Sequence, residues 1–254
     1  MFIDTHCHLT SDNYDEVEKL ILEISPNIII VNGVNQQSSI EAVKLAHKYN
    51  HVYAAIGIHP SEIDELLSNE IEFIEKYIDD SKVVAIGEIG LDYYWKKDNK
   101  LKQQYFFKKQ IELALEYNKP LIIHSRESIE DTYNILTYYS KKNPNLSFVL
   151  HCYGSSIEMA ERFLKMNVMF GIGGVVTFKN EKKLKEVVKK ISLNNILLET
   201  DSPYLSPEPL RGKINTPKNI ILVAKKIAEI KEEKYEKVIE ITTENAISKF
   251  DLKV

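Results

Sequence analysis

The chain has 254 residues, 44% hydrophobic and 28% charged, with a formal net charge of -4 at pH 7. That length suits one α/β barrel of about 250 residues, so a single domain over residues 1–254 is expected. The mild acidity argues against a protein that coats nucleic acid through general basicity, two cysteines are too few for a disulfide framework, and apolar runs such as NIIIV fall far below the ~20 residues of a membrane helix.

The N-terminus reads as a strand rather than a leader, so a cytoplasmic protein is expected, with no membrane contact and no obligatory protein partner. This first strand, 2–8, carries His6, Cys7 and His8 in FIDTHCHL. A spacing of two puts both imidazoles on one face, about 6.6 Å apart at Cα. Cys7 then faces the other way and reads as buried filler, as does Cys152. Asp4 shares the histidine face one layer deeper, either orienting a ligand or serving as a buried structural carboxylate.

A second strand follows at 27–32, then a helix whose Ala42, Val43 and Ala46 share one face. The third strand, 52–57, runs into GIHP, where His59 is a candidate substrate contact. His47 and His51 read as surface residues. The fourth strand, 83–88, ends on Glu88, a carboxylate costly to bury at the end of an apolar run unless paired or metal-bound. Tyr93, Tyr94 and Trp95 follow in LDYYW, either stacking a base or packing. A helix then places Phe106, Gln110, Leu113 and Tyr117 at helical spacing.

The fifth and sixth strands, 120–124 and 147–151, end on His124 and His151. Arg126, two beyond His124, is placed to project over the same end. After a seventh strand at 168–173, EKKLKEVVKKI reads as a helix with Leu184, Val187 and Val188 inward. The eighth strand, 196–200, leads to Asp201, with Glu199 two residues earlier as an orienting group or part of the barrel core. A loop over 201–216 holds Pro203, Pro207 and Pro209, with Arg211 and Lys213 as further candidate phosphate contacts. Helical stretches at 217–231 and 233–249 finish the chain.

Eight VIL-rich strands alternating with helices predict a (β/α)8 TIM barrel. The rival, an open doubly wound sheet, gathers its site at one switch point. Here the candidate ligands His6, His8, Glu88, His124, His151 and Asp201 end five different strands, and a closed barrel brings such ends together at its C-terminal rim. The first strand and Asp201 suit one metal, and His124 and His151 a second, with the two oxygens of Glu88 available to both. Glu88 and Asp201 are the candidate catalytic carboxylates. Two divalent cations against these carboxylates and a hydroxide leave a small positive excess, a seat for a phosphodiester. A metal pair about 3.5–4 Å apart activates water and stabilises both oxygens of an in-line displacement.

These residues together resemble the TatD family of metal-dependent deoxyribonucleases. The resemblance runs in order through FIDTHCHL, GIHP, GEIGLDYY (87–94), IHSR (123–126), LHCY (150–153), ETDSPYL (199–205) and RGKINTP (211–217). It implies a (β/α)8 barrel, DNA as substrate, and metal ligation at His6, His8, Glu88, His124, His151 and Asp201. It further implies that Glu88 bridges two ions, that Asp201 assists the attacking water, and that hydrolysis starts from a 3′ end. One departure stands at Ser61, where the family often has a second histidine. The family is often called magnesium-dependent, yet four imidazoles suit zinc, manganese, cobalt or nickel better. Two alternatives stay open: an amidohydrolase-like enzyme cleaving a C–N or ester bond, and a non-catalytic barrel that binds nucleic acid.

Overall fold

A computed structural model describes residues 1–64, 66 and 71–253. Its eight strands are β1 (Ile3–Cys7), β2 (Ile28–Asn32), β3 (Val52–Ile56), β4 (Val83–Asp92), β5 (Leu121–Arg126), β6 (Ser147–Leu150), β7 (Asn167–Ile172) and β8 (Ile196–Leu198). They pair in parallel in sequence order. The barrel closes where β8 returns to β1: Thr5 Oγ1 donates to Leu198 O (3.0 Å), and the Asp201 and His8 amides donate to His6 O (2.9 Å) and Ser202 O (2.7 Å). The TIM barrel expected from the strand pattern is the fold observed.

Strand residues divide between two cores because alternate side chains face opposite sides. Ile28, Ile30, Tyr53, Ala55, Val84, Ile122, Val149 and Leu197 form the inner cluster, joined by Ala246, Phe250 and Leu252. Their neighbours Ile29, Val31, Ala54, Ile56, Ile123, Phe148 and Leu198 pack outward. Helices cover that outer face: α1 (Val17–Ile24), α2 (Gln36–Lys48), α3 (Glu72–Tyr77), α4 (Lys100–Glu116), α5 (Ile129–Lys142), α6 (Ile157–Phe163), α7 (Lys183–Lys190) and α8 (Ile220–Lys231), while α9 (Tyr235–Phe250) joins the outer core through Val238 and the inner cluster through Ala246 and Phe250. Ala42, Val43 and Ala46 of α2, and Leu184, Val187 and Val188 of α7, are buried as their periodicity predicts. The 217–231 stretch opens with a 3-10 turn, Pro217–Asn219, before α8.

Two features position the site. The first is that β4 runs four residues beyond the expected 83–88, because Ile89, Gly90, Leu91 and Asp92 pair with Ile123, His124, Ser125 and Arg126. Gly90 permits this: its φ is 142°, and a Cβ there would lie 2.0 Å from His124 O. The second is Gln110 of α4, whose amide accepts from Ile58 N (2.7 Å) and donates to Ile58 O (3.2 Å), tying down the turn that carries His59. No described helix is long and apolar enough to cross a membrane.

Candidate metal centre

The C-terminal ends of the strands deliver His6, His8, Glu88, His124, His151 and Asp201 to one place, as the sequence predicts. Glu88 lies at its middle, 3% exposed, with apolar neighbours on both sides along β4. Its Oε2 is 3.3 Å from His6 Nε2 and 3.4 Å from His8 Nε2. Its Oε1 is 2.9 Å from His124 Nδ1 and 3.6 Å from His151 Nε2. One carboxylate thus turns one oxygen to the first strand and the other to the fifth and sixth.

On the β1 side, His6 Nε2 and His8 Nε2 are 3.1 Å apart, and Asp201 Oδ1 lies 3.8 and 3.5 Å from them. Four donors held about 2.0–2.1 Å from one tetrahedral cation stand roughly 3.3 Å from each other. His6, His8 and Asp201 form one mutually close set that fits a single ion, with Glu88 Oε2 within 3.4 Å of both imidazoles. Asp201 reaches this position from a left-handed backbone, φ 55°, which aspartate tolerates better than most residues.

On the other side the grouping departs from expectation. His124 and His151 both face Glu88 Oε1, but their ring centroids are 6.4 Å apart. The mutually close sets are His59–Glu88–His124 and His6–Glu88–His151. His151 stacks on His6 at 3.6 Å between centroids, drawn to the β1 side by Glu199, whose Oε1 is 3.1 Å from its Nδ1 though poorly aligned for a hydrogen bond.

Groups behind the ligands fix which ring nitrogen faces inward. His8 Nδ1 lies 2.9 Å from Asn32 O, an acceptor, so Nδ1 carries the hydrogen and the Nε2 lone pair faces the cluster. His124 Nε2 lies 2.9 Å from Asp92 Oδ2. A hydrogen on Nε2 leaves the Nδ1 lone pair aimed at Glu88, the carboxylate–histidine arrangement common behind metal ligands. Asp92 escaped sequence reasoning because the expected strand stopped at Glu88; four residues apart on a strand, the two acids share a face. Glu199 does support His151, and its Oε1 also accepts from Cys152 N at 2.6 Å. Gly171 makes room for it, since a Cβ there would lie 2.0 Å from Glu199 Oε2.

His59 is a different kind of neighbour. The Ser61 backbone N–H donates to its Nδ1 at 3.1 Å, so in the neutral ring the hydrogen sits on Nε2. That N–H points into the site, with Nε2 3.7 Å from Glu88 Oε1. It is a hydrogen-bond donor, and a poor ligand in this tautomer.

Burial pushes His59 down to about 3, helped by His124, so the ring is neutral. Burial also lowers His6. Burial opposes ionisation of Glu88 and Asp201, but the surrounding histidines outweigh it and hold both below the usual carboxylate range. His151 shows the reciprocal effect: against burial, Glu199, Glu88 and Asp201 raise it to about 10. Two ionised carboxylates among buried imidazoles form a polar set suited to cations.

The remaining candidates sort by position. Asp4 reaches no ligand ring. A bulge between Asp4 and Cys7 breaks the alternation of β1, and Asp4 instead accepts from His6 N, Thr200 N and Thr200 Oγ1, a tie between β1 and β8. Cys7 is buried filler, its thiol 3.4 Å from Ile30 O. Cys152 differs: at φ 44° beyond the end of β6, it joins a close set with His151 and Asp201. Arg126 is exposed, its guanidinium 3.9 Å from the Tyr94 ring. Arg211 is exposed and stacked on Phe178 at 3.8 Å, and Lys213 is exposed. Tyr93 is buried, its hydroxyl donating to Asp131. His47 pairs with Asp80, and His51 lies 3.0 Å from Ile21 O, both outside the centre.

A barrel with buried histidines and carboxylates converging at its C-terminal rim defines the class: a metal-dependent hydrolase. Comparison with known proteins agrees. Residues 3–251 match the family described as TatD related DNase. The chain is 41% identical to the metal-dependent hydrolase YabD of Bacillus subtilis (strain 168) over 251 residues, 97% of each chain. It is 31% identical to the metal-dependent hydrolase YcfH of Escherichia coli (strain K12), over 96% of this chain and 93% of that one. The crystal structure of YJJV, a TatD homolog from Escherichia coli K12, superposes with a TM-score of 0.90 at 28% identity, covering 99% and 98% of the two chains. The chain belongs to the TatD family.

Proposed function

We propose that the protein hydrolyses DNA phosphodiester bonds, removing nucleotides from an exposed 3′ end. His6, His8 and Asp201 would hold one divalent cation and Glu88 with His124 a second, with His151 Nε2 3.6 Å from the same Glu88 oxygen and Glu88 Oε2 turned to the first ion; zinc, manganese, cobalt or nickel are preferred to magnesium by these ligands. The observation that carries this reading is the division of Glu88: each of its oxygens faces a different set of imidazoles. When bound, such a metal pair supplies Lewis acidity toward phosphoryl oxygens and acidifies water.

The chain's own groups do the rest. Asp201, ionised and 8% exposed, accepts the proton of the attacking water. His59 Nε2–H donates to an oxygen of the phosphate or to the leaving group. Asp92 and Glu199 keep His124 and His151 turned inward. Arg126 presents guanidinium N–H groups at the rim, and Arg211 and Lys213 offer cations on the long loop. A flexible strand end reaches a recessed rim more easily than an intact duplex does, which favours an exonuclease.

The test is metal content together with digestion of single-stranded DNA from its 3′ end, for wild type and Glu88→Ala. About two metals per chain, with cleavage by wild type alone, is the expected outcome. Full activity in pure Glu88→Ala would sink the mechanism. Bound metals without DNA cleavage would redirect attention to amides, esters and lactones.

A further inference from the structure

Beside the centre, the rim carries an aromatic surface that the proposed chemistry leaves unused. Trp95 is 70% exposed and Tyr94 46%. Their rings meet edge to face, 4.8 Å apart at 85°, and at 70% exposure most of the indole stays open to solvent. The Arg126 guanidinium lies 3.9 Å from the Tyr94 centroid and 5.5 Å from that of Trp95. Arg126 enters no ion pair among the described residues.

Burying an aromatic of this size is favourable, and Tyr93 next in sequence is buried. Asp92 fixes the backbone of the turn that carries Tyr94 and Trp95. Its Oδ1 accepts the backbone N–H of Tyr94 (2.9 Å) and of Trp95 (3.2 Å). Its Oδ2 holds the Nε2 of His124. One carboxylate thus locks the aromatic turn in register with a ring of the metal centre.

We propose that Tyr94, Trp95 and Arg126 form a stacking subsite for an unpaired nucleobase next to the scissile phosphate. This deepens the nuclease reading and rests on it. An aromatic face beside an unpaired guanidinium complements a base attached to a phosphate. Aromatic platforms flanked by cations are how proteins hold single strands without reading sequence. In a duplex the base faces are already stacked, so the subsite selects single-stranded or frayed ends over paired DNA.

The chain contains one tryptophan, so its intrinsic fluorescence reports on this surface directly. The full-length protein is titrated with a phosphorothioate oligothymidylate, and with the same strand made abasic. Saturable quenching of Trp95 by the base-bearing strand is expected, with about tenfold weaker binding of the abasic one. In steady-state cleavage of ordinary oligothymidylate, Trp95→Ala raises KM about tenfold and changes kcat little, while Trp95→Phe restores most of the loss.

Equal binding of the two strands would overturn the proposal, as would an unchanged KM in Trp95→Ala. Base-dependent quenching by a strand that is never cut would uphold the subsite and remove the nuclease reading. Cleavage without any change in Trp95 emission would do the reverse.

Discussion

Asp92 serves two masters at the rim, the imidazole of His124 and the backbone of the aromatic turn. Losing an acceptor behind a ligating histidine commonly costs about 10–100-fold in metal affinity or activity. Asp92→Asn is therefore expected to weaken the His124-side metal by tens of fold while sparing the ion held by His6, His8 and Asp201. Metal titration by calorimetry reads the two separately, and equal loss at both would show that Asp92 acts on the fold rather than on His124. At this scale the ligand types were legible in the residues themselves, since buried imidazoles and carboxylates at strand ends have few other uses. The orienting partners were less so. Glu199 showed by its spacing from Asp201, but Asp92 showed only once β4 was found to continue past Glu88.

The β4 strand is the element that makes the centre, because Glu88 and Asp92 both ride on it. Its extension depends on the close approach of Gly90 to β5. Gly90→Ala would place a methyl 2.0 Å from His124 O at φ 142°, a backbone region that L side chains avoid. A loss of roughly 1–3 kcal/mol in stability is expected from the strain, together with displacement of His124. Chemical denaturation measures the first and metal stoichiometry the second. A variant as stable as wild type, with full metal, would show that β4 and β5 can part without cost. Other elements followed their sequence periodicity closely. The faces of α2 and α7 are buried as spaced, because amphipathic helices on a barrel have only one way to bury an apolar stripe.

For the whole molecule, metal binding and folding are linked. The ligands come from β1, β4, β5, β6 and the segment after β8, so the centre exists only when the barrel is closed. A cation bound only by the folded state adds about 4 kcal/mol at a thousandfold excess over Kd, on the order of 10 °C in Tm for a chain of this size. Chelation is expected to lower Tm by about that much, and Glu88→Ala to shrink the shift. Thermal scans with and without chelator check this; a Tm indifferent to metal in wild type would argue that the centre binds none.

The fold class, strand order and six ligand types were already present in the linear chain, because strand burial and ligand chemistry are local properties that leave a periodic or compositional trace. How the ligands divide was decided only in three dimensions. Which imidazole meets which oxygen of Glu88, why His59 presents an N–H rather than a lone pair, and why Cys152 turns toward the centre all depend on contacts between distant segments. Those contacts arise from strand register and from single left-handed residues such as Asp201 and Cys152. A shift of one residue in register reverses every side chain on a strand, and no local pattern in the sequence records where a bulge will place that shift.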